Sequence, residues 1–378
     1  MARDMNQNPR ISAALFELCP RFAERAPVVD AGDRFVADNF TELEAHGLMA
    51  AGVPQELGGM GASHAELCEM LRVIARSCGS TALAFSMHTH QVVIAAWRWR
   101  HQNAPVEGLL KRIASENLVL LSSGGSDWLE GSGTALRVEG GYRVTARKVF
   151  ASGCPAGDLL MTSAVYDDPQ AGPLVLHFGV SMKTAGVRML DTWRALGMRG
   201  TGSNDIELAD VFVPDAAIGV RRPRGKWHGL FHVIVEFAFP LIYSAYCGVA
   251  EAAHQLAVEE ARRRKPNDQL ADLAGGMDNE LALARLALLD MIDTAATKSP
   301  GVATTARVMT GRTLVARGVL NTVTLAMELA GGAAFHRAHR LERLFRDAQA
   351  ARFHPLREGA QRRYSGRVAL GLDVDDVA

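Results

Sequence analysis

The stretch Lys148-Val149-Phe150-Ala151-Ser152-Gly153, inside the segment from Tyr142 to Pro214, decides the fold. It lies in the only β-patterned region of an otherwise helical chain. Strand-like runs surround it: Gly141 to Thr145, Leu159 to Val165, Leu174 to Val180 and Val211 to Pro214. Such runs, broken by Gly, Pro and Asp, predict short strands of a β-barrel or sandwich. A module of this kind has edges that need cover, so the helical blocks on both sides are expected to pack against it.

Upstream, residues 11–115 carry helical spacing. Phe35, Phe40, Leu43 and Leu48 recur at three-to-five spacing, which predicts an amphipathic helix ending at Gly47. Gly52 to Gly61 is a Gly/Pro-rich loop. Ser63 caps a helix that carries Leu67, Met70, Leu71 and Ile74. Ala82 to Ile94 continues the apolar pattern and contains His88 and His90. Downstream, Phe237 to Arg264, Asp278 to Thr297 and Thr304 to Leu329 read as long helices, stopped near Pro266, Pro300-Gly301 and Gly331-Gly332. A fourth helical element carries Leu341 to Asp347. The expected fold is mostly α with a central β module. It comprises an N-terminal helical domain over 1–115, a middle β-barrel or sandwich over 116–222, and a C-terminal four-helix bundle over 223–378.

The 378 residues exceed what one hydrophobic core serves, in keeping with several sub-domains. Lys and Arg number 41, as do Asp and Glu, so there is no basic surplus for a nucleic-acid partner. The five cysteines show no metal-ligand spacing, and the expectation is reduced, mostly buried thiols in a cytoplasmic protein without a metal site. Met1 to Arg10 is polar and has no apolar signal core. No membrane-spanning helix is expected.

Six motifs follow one another along the chain: Val53-Pro54 with Gly58-Gly59; Gly125-Ser126-Asp127; Lys148-x-Phe150-x-Ser152-Gly153; Trp193 through Leu196-Gly197-Met198-Arg199-Gly200-Thr201-Gly202-Ser203; Glu328-Leu329-Ala330-Gly331-Gly332; and Glu342-Arg343-x-x-Arg346-Asp347. In this order they resemble the acyl-CoA dehydrogenase superfamily of flavoproteins over nearly the whole chain. The resemblance implies bound FAD (with FMN as the alternative) and a homotetramer or homodimer. It also implies that Ser122, Ser123, Phe150 and Ser152 face the isoalloxazine ring. A flat ring wants an aromatic neighbour and polar partners at its reactive edge. The resemblance further implies that Arg264 and the Gly331-Gly332 turn hold the FAD pyrophosphate or adenosine of a neighbouring subunit. Glu328 stands where the family usually has Gln.

Two chemistries follow from the resemblance. In the dehydrogenases a carboxylate takes the α-proton of an acyl thioester while hydride passes to the flavin, so the base needs a raised pKa. The slot after Arg346-Asp347 holds His354-Pro355, and Glu358-Gly359 stands three residues late. The other family slot, on the first bundle helix, falls at Ala238, with Glu236 two residues away. Glu358 is the expected base. In the flavin-dependent monooxygenases of the same superfamily, reduced flavin and O2 act beside histidines and a serine, and here His88 or His90, Ser152 and His354 resemble that set. Dehydrogenation of an acyl thioester, coupled to an electron-transfer flavoprotein, is placed first. The alternative is a monooxygenase or oxidase acting on a non-CoA small molecule, fed by a flavin reductase. A flavin-binding protein without chemistry comes last.

Overall fold

The computed structural model describes residues 8–123, 125 and 128–375. Five helices come first: α1 (Pro9–Ala31), α2 (Ala37–Ala45), α3 (His64–Ser77), α4 (Gly79–Gln102) and α5 (Glu107–Glu116). α3 starts as expected, at a reciprocal cap: the Ser63 hydroxyl accepts from the Glu66 N–H, and the Glu66 carboxylate accepts from the Ser63 N–H. α4 is buried from Gly79 to Ala96 at every position except Gln91, so no amphipathic stripe marks its period.

The β module contributes β1 (Leu120–Ser122), β2 (Thr134–Val138), β3 (Gly141–Lys148), β4 (Leu159–Asp168), β5 (Gly172–Ser181), β6 (Val187–Met189), β7 (Ile206–Pro214) and β8 (Ile218–Pro223). Their order is β6-β7-β3-β2-β4-β5-β8, with β1 on β4. The two halves of this sheet join at a single parallel pair, Thr134 with Val165. Tyr142, Val144, Leu176, Phe178, Ile206, Leu208 and Val211 from both halves share one core, which is how the sandwich expected from sequence is realised. β2, β6 and β8 escape sequence reading because they are short or Arg-rich. In β8 the Arg222 side chain is buried by donating to the carbonyls of Trp128 and Leu129 and to His177 Nε2.

The bundle holds α6 (Gly229–Arg262), α7 (Asp268–Thr297), α8 (Val302–Ala330), α9 (Arg340–Ala348) and α10 (Glu358–Ala369). α6 begins eight residues before its expected start and runs through Pro240. α7 begins ten residues early, because Asn267 caps it and Gly275-Gly276 costs only about 1 kcal/mol per glycine inside a helix. The fourth side is made by two short helices: α9 packs on α6 and α8, and α10 packs on α8. α6 and the Val302–Phe335 stretch are long and apolar enough to cross a membrane by length and composition, which the sequence reading did not expect. In the fold α6 is enclosed by α3, α4, α7, α8 and α9.

α9 ties the three parts together. Arg346 pairs with Asp30 on α1 at 2.6 Å and donates to the Leu196 carbonyl at 3.0 Å. Buried Asp347 accepts the Met198 N–H at 2.5 Å. Contact here is so close that a Cβ on Gly197 would stand 2.2 Å from the Arg346 carbonyl oxygen. Replacing Asp347 by Ala leaves the Met198 N–H without its acceptor and is expected to cost about 1–3 kcal/mol in urea denaturation. Asp347→Asn keeps the acceptor and is expected to lose less than half of that.

Candidate functional site

The turn after β3 is built by loop-to-loop hydrogen bonds. Ala151 N–H donates to Asn204 O at 3.1 Å and Gly153 N–H to Thr201 O at 2.8 Å. This pins Phe150 at φ 57°, a conformation that costs a non-glycine residue about 1–3 kcal/mol. Its ring is 62% exposed and stands edge-on to Trp193 at 6.2 Å. Lys148 takes no part in the open face, since its buried ammonium donates to the carbonyl and hydroxyl of Ser132.

Beside Phe150 the hydroxyls form a chain. Ser152 Oγ is 2.7 Å from Ser203 Oγ, which is 2.7 Å from Thr201 Oγ1, which donates to Met198 O at 2.9 Å. Each hydroxyl has one hydrogen. Thr201 spends its hydrogen on Met198, so Ser203 donates to Thr201 and Ser152 donates to Ser203. Ser152 is therefore left with lone pairs on its free side, and it acts there as an acceptor.

The end of β1 forms the next wall. The Ser122 hydroxyl approaches Met87 Sδ at 3.7 Å, and the Ser123 hydroxyl donates to Thr162 Oγ1 at 2.7 Å. A Cβ on Gly125 would lie 3.8 Å from Pro355, so this loop meets the loop after α9. Ser126 and Asp127 of the Gly-Ser-Asp motif lie outside the described residues.

α4 runs behind all of this as a ruler. Ala84 O lies by Gly153, Met87 by Ser122, and His90 is close enough to His354 for the charge of one to act on the other. At about 1.5 Å per residue, Ala84 to His90 covers about 9 Å. The Ser152 acceptor and the His354 ring thus lie near opposite ends of this stretch of α4, the candidate slot.

The histidines divide by their partners. His88 is not free to act. Its Nδ1 accepts the Leu120 N–H and its Nε2 donates to Met49 O, both at 2.9 Å, and its ring stacks on Phe85. It is a buried tie between α4, β1 and the turn at Met49, which corrects its assignment as a catalytic candidate. His90 Nδ1–H donates to Ser86 O at 2.9 Å, so its Nε2 carries a lone pair, faced by the Gln91 amide at 3.3 Å. Burial pushes both rings down to about 4.

His354 Nε2 lies 2.6 Å from the Tyr246 hydroxyl. Buried Arg312 donates to the carbonyls of Ala351 and His354, at 3.2 and 2.8 Å, and lies over the Tyr243 ring. Burial, with the Arg312 charge, pushes the His354 ring down to about 3, so it is neutral at ordinary pH.

Glu358 sits at the first turn of α10 in an ion pair with Arg317, which holds its carboxyl below the usual range. That is the opposite of what an α-proton base needs, and Glu358 is corrected to a paired surface carboxylate. Glu236 has the raised pKa, pushed up to about 7 by burial, and neither of its oxygens has a hydrogen-bond partner. It shares a face of α6 with Tyr243 and looks toward Thr304 of α8. Its neighbour Phe237 is the residue that meets Trp97 and His64 on the α3/α4 side.

Arg264 and Gly331, 67 residues apart in sequence, do come together. Arg264 Nη1 donates to Leu329 O at 2.7 Å and lies 3.7 Å from where a Gly331 Cβ would be. Gly331 has φ +74°, and Gly332 follows it with open space around its Cα. One exposed guanidinium beside a turn of two glycines suits an anionic group. Sequence reading missed Arg312 and Tyr246, which look like ordinary interior positions of long helices. Ser203 was visible, being the last residue of the Trp193 motif.

His64, His88, His90 and His354 all bind fewer protons folded than unfolded between pH 4 and 6.5. Their folded pKa values are depressed, so the stability they contribute is present above 6.5 and lost as pH falls toward 4. Melting is expected to drop steeply on acidification through this window. His88→Phe is expected to remove up to one proton from the slope, about 1.4 kcal/mol per pH unit, while lowering stability at pH 7. An unchanged slope in this variant contradicts the buried, neutral assignment.

Known proteins were compared with this structure. The family models for the acyl-CoA dehydrogenase N-terminal and C-terminal domains match residues 16–104 and 240–355. The amino sugar nitrososynthase RubN8 of Streptomyces rubradiris is 29% identical, over 94% of this chain and 88% of its own. A dibenzothiophene monooxygenase of Mycolicibacterium goodii is 34% identical over 58% of this chain and 55% of its own. The crystal structure of KijD3 with FMN and a dTDP-linked amino-keto sugar superposes with a TM-score of 0.89 at 27% identity, covering 97% of this chain and 95% of that one.

Proposed function

Because the chain belongs to the acyl-CoA dehydrogenase superfamily of flavin-dependent oxidoreductases, and because a neutral histidine stands where its dehydrogenases need a carboxylate, we propose that it is a reduced-flavin-dependent monooxygenase of a non-CoA small molecule. The acyl-thioester dehydrogenation placed first by the sequence gives way to its alternative. His354 carries this reading: it is uncharged, packed against two tyrosines and held by Arg312, while the unpartnered carboxyl of α6, Glu236, looks toward α8 instead. The substrate class is an amine, with a nucleotide-linked amino sugar first in order, in keeping with RubN8 and KijD3, which match over nearly the whole chain. The thiophene sulfur of the shorter match gives the next class to test.

When bound, a reduced flavin supplies the two electrons that divide O2 into one oxygen atom for the substrate and one water. The exposed Phe150 ring would cover a flat cofactor, and Ser152, left as an acceptor, would take a hydrogen bond from it when it is reduced. Ser122 and Ser123 close the same side. An amine takes up oxygen only as the free base, so it must lose its proton. His90 Nε2, on a ring that burial keeps neutral, favours that free base by accepting a hydrogen bond from one of its N–H groups. His354 donates to the oxygen that leaves as water. Arg264 and Gly331-Gly332 would hold the phosphate end of a flavin across a homodimer or homotetramer contact. The flavin arrives reduced from a separate reductase.

The test supplies purified protein with a flavin reductase, NADH and O2, and compares a panel of nucleotide-linked amino sugars with a panel of acyl-CoAs. Oxygen consumed in step with an N-oxygenated product is the expected result. Anaerobic reduction of bound flavin by an acyl-CoA would overturn the proposal. His90→Ala and His354→Ala are each expected to lower kcat about 10²-fold. Both rings stay neutral above pH 5, so the acid limb of kcat/KM is expected well below 6.5.

A further inference from the structure

We infer that Tyr246 is a positioning residue that locks His354 in the tautomer with hydrogen on Nδ1, so that Nδ1–H is the single donor this ring presents to the site. The inference rests on the reading that His354 serves the reacting centre, and it goes beyond it by assigning the atom.

The argument is one of hydrogen counting. The Tyr246 hydroxyl is fully buried, and His354 Nε2, at 2.6 Å, is its hydrogen-bond partner. It has no second acceptor among the described residues. Were Nε2 the protonated nitrogen, it would donate to the tyrosine oxygen and leave the phenolic O–H with nowhere to go. An O–H stranded in an interior is costly. With the phenol donating, both groups are satisfied, and Nε2 is the bare nitrogen. The neutral ring then carries its hydrogen on Nδ1.

Nδ1 is free for that task. It makes no hydrogen bond within the described protein, and it is not among the side-chain atoms sealed inside without a partner. It is therefore not sealed in the interior, and on this inference it faces the site. The rest of the residue is fixed: Arg312 holds its carbonyl at 2.8 Å, the Tyr243 and Tyr246 rings flank its imidazole, and Pro355 abuts Gly125. The Arg312 charge disfavours the cation, in which both nitrogens would carry hydrogen and the phenol would again be stranded. Tyr246 thus does for His354 what Ser86 O does for His90. Each partner takes one ring nitrogen out of play, and the two rings are left with opposite polarity, a lone pair on His90 and a hydrogen on His354.

The experiment is histidine NMR on the full chain labelled with 15N in its imidazoles, with the His354 signal identified by its loss in His354→Asn. The expected wild-type pattern is a neutral ring protonated at Nδ1. In Tyr246→Phe the lock is lost and the ring is expected to show a mixture of the two tautomers, with kcat down about 10²-fold and KM nearly unchanged. His354→Asn places its amide N–H where Nδ1–H stood, so it is expected to retain at least tenfold more turnover than His354→Gln, which reaches toward Tyr246 instead. A wild-type ring protonated at Nε2, or a Tyr246→Phe ring whose tautomer ratio is the same as wild type, overturns the inference. Turnover unchanged in His354→Ala instead sinks the functional reading beneath it, and the NMR result still decides the tautomer.

Discussion

The hydrogen bond from Met198 N–H to buried Asp347 is the constraint on which the rest of the structure hangs. It is a short contact between two loops with different duties. On one side lies the Trp193 to Ser203 segment, which supplies the far end of the hydroxyl chain behind Ser152. On the other lies the chain that leaves α9 and delivers His354. Arg346 adds α1 to the same joint through Asp30. A shift of α9 would therefore move both ends of the slot at once. Gly197 is needed because any side chain there would collide with the Arg346 carbonyl, at 2.2 Å, and force the joint apart.

The electrostatics of the slot follow from Arg312. A buried guanidinium spends its hydrogen bonds on carbonyl oxygens of the 351–354 turn and stacks on Tyr243, with its Nε left unsatisfied. Its charge disfavours a second cation, which keeps the histidine neutral, and would favour an ionised carboxylate. A carboxylate in this slot would thus be pulled toward its charged form, away from the raised pKa that α-proton removal asks of it. The one carboxyl with a raised pKa near the bundle start, Glu236, looks toward α8 and owes its shift to burial alone. On the proposed reading, the cation and the histidine together disfavour dehydrogenation.

Much of the fold was legible. Caps, breakers and β-alternation located α3, β3, β4, β5 and the cores of α6 to α8, because each follows from a local signal such as Ser63 with Glu66. Elements whose identity is set by their surroundings were not. α4 is enclosed and has no polar face. β8 is rich in arginine, and only tertiary contacts with Trp128, Leu129 and His177 explain Arg222. The site was legible in part for the same reason. Arg264 and Gly331 were named from resemblance and meet in space. His88 and His90, two residues apart on one helix, present the same letter to a reader of sequence. What separates them is whether a second backbone group reaches the ring, and Leu120 does so only because β1 is laid across α4. Glu358 failed through Arg317, 41 residues away on α8.

The site is specified by where hydrogens are already spent. Thr201 commits its hydrogen to Met198, which turns Ser203 and then Ser152 into acceptors toward the slot. Ser86 commits the Nδ1–H of His90, which makes that ring an acceptor also. The slot thus has acceptors along the α4 side and a neutral ring on the loop that meets Gly125. A ligand that fits such an arrangement brings hydrogens to give and has an oxygen that must receive one. An acyl thioester has no N–H or O–H at its α-carbon to offer these acceptors. An amine beside a reduced ring has both its own N–H groups and the ring's, and it loses a proton as it gains oxygen. The polarity of the hydrogen bonds, set by backbone carbonyls at Met198 and Ser86, points to the same class of reaction as the missing carboxylate.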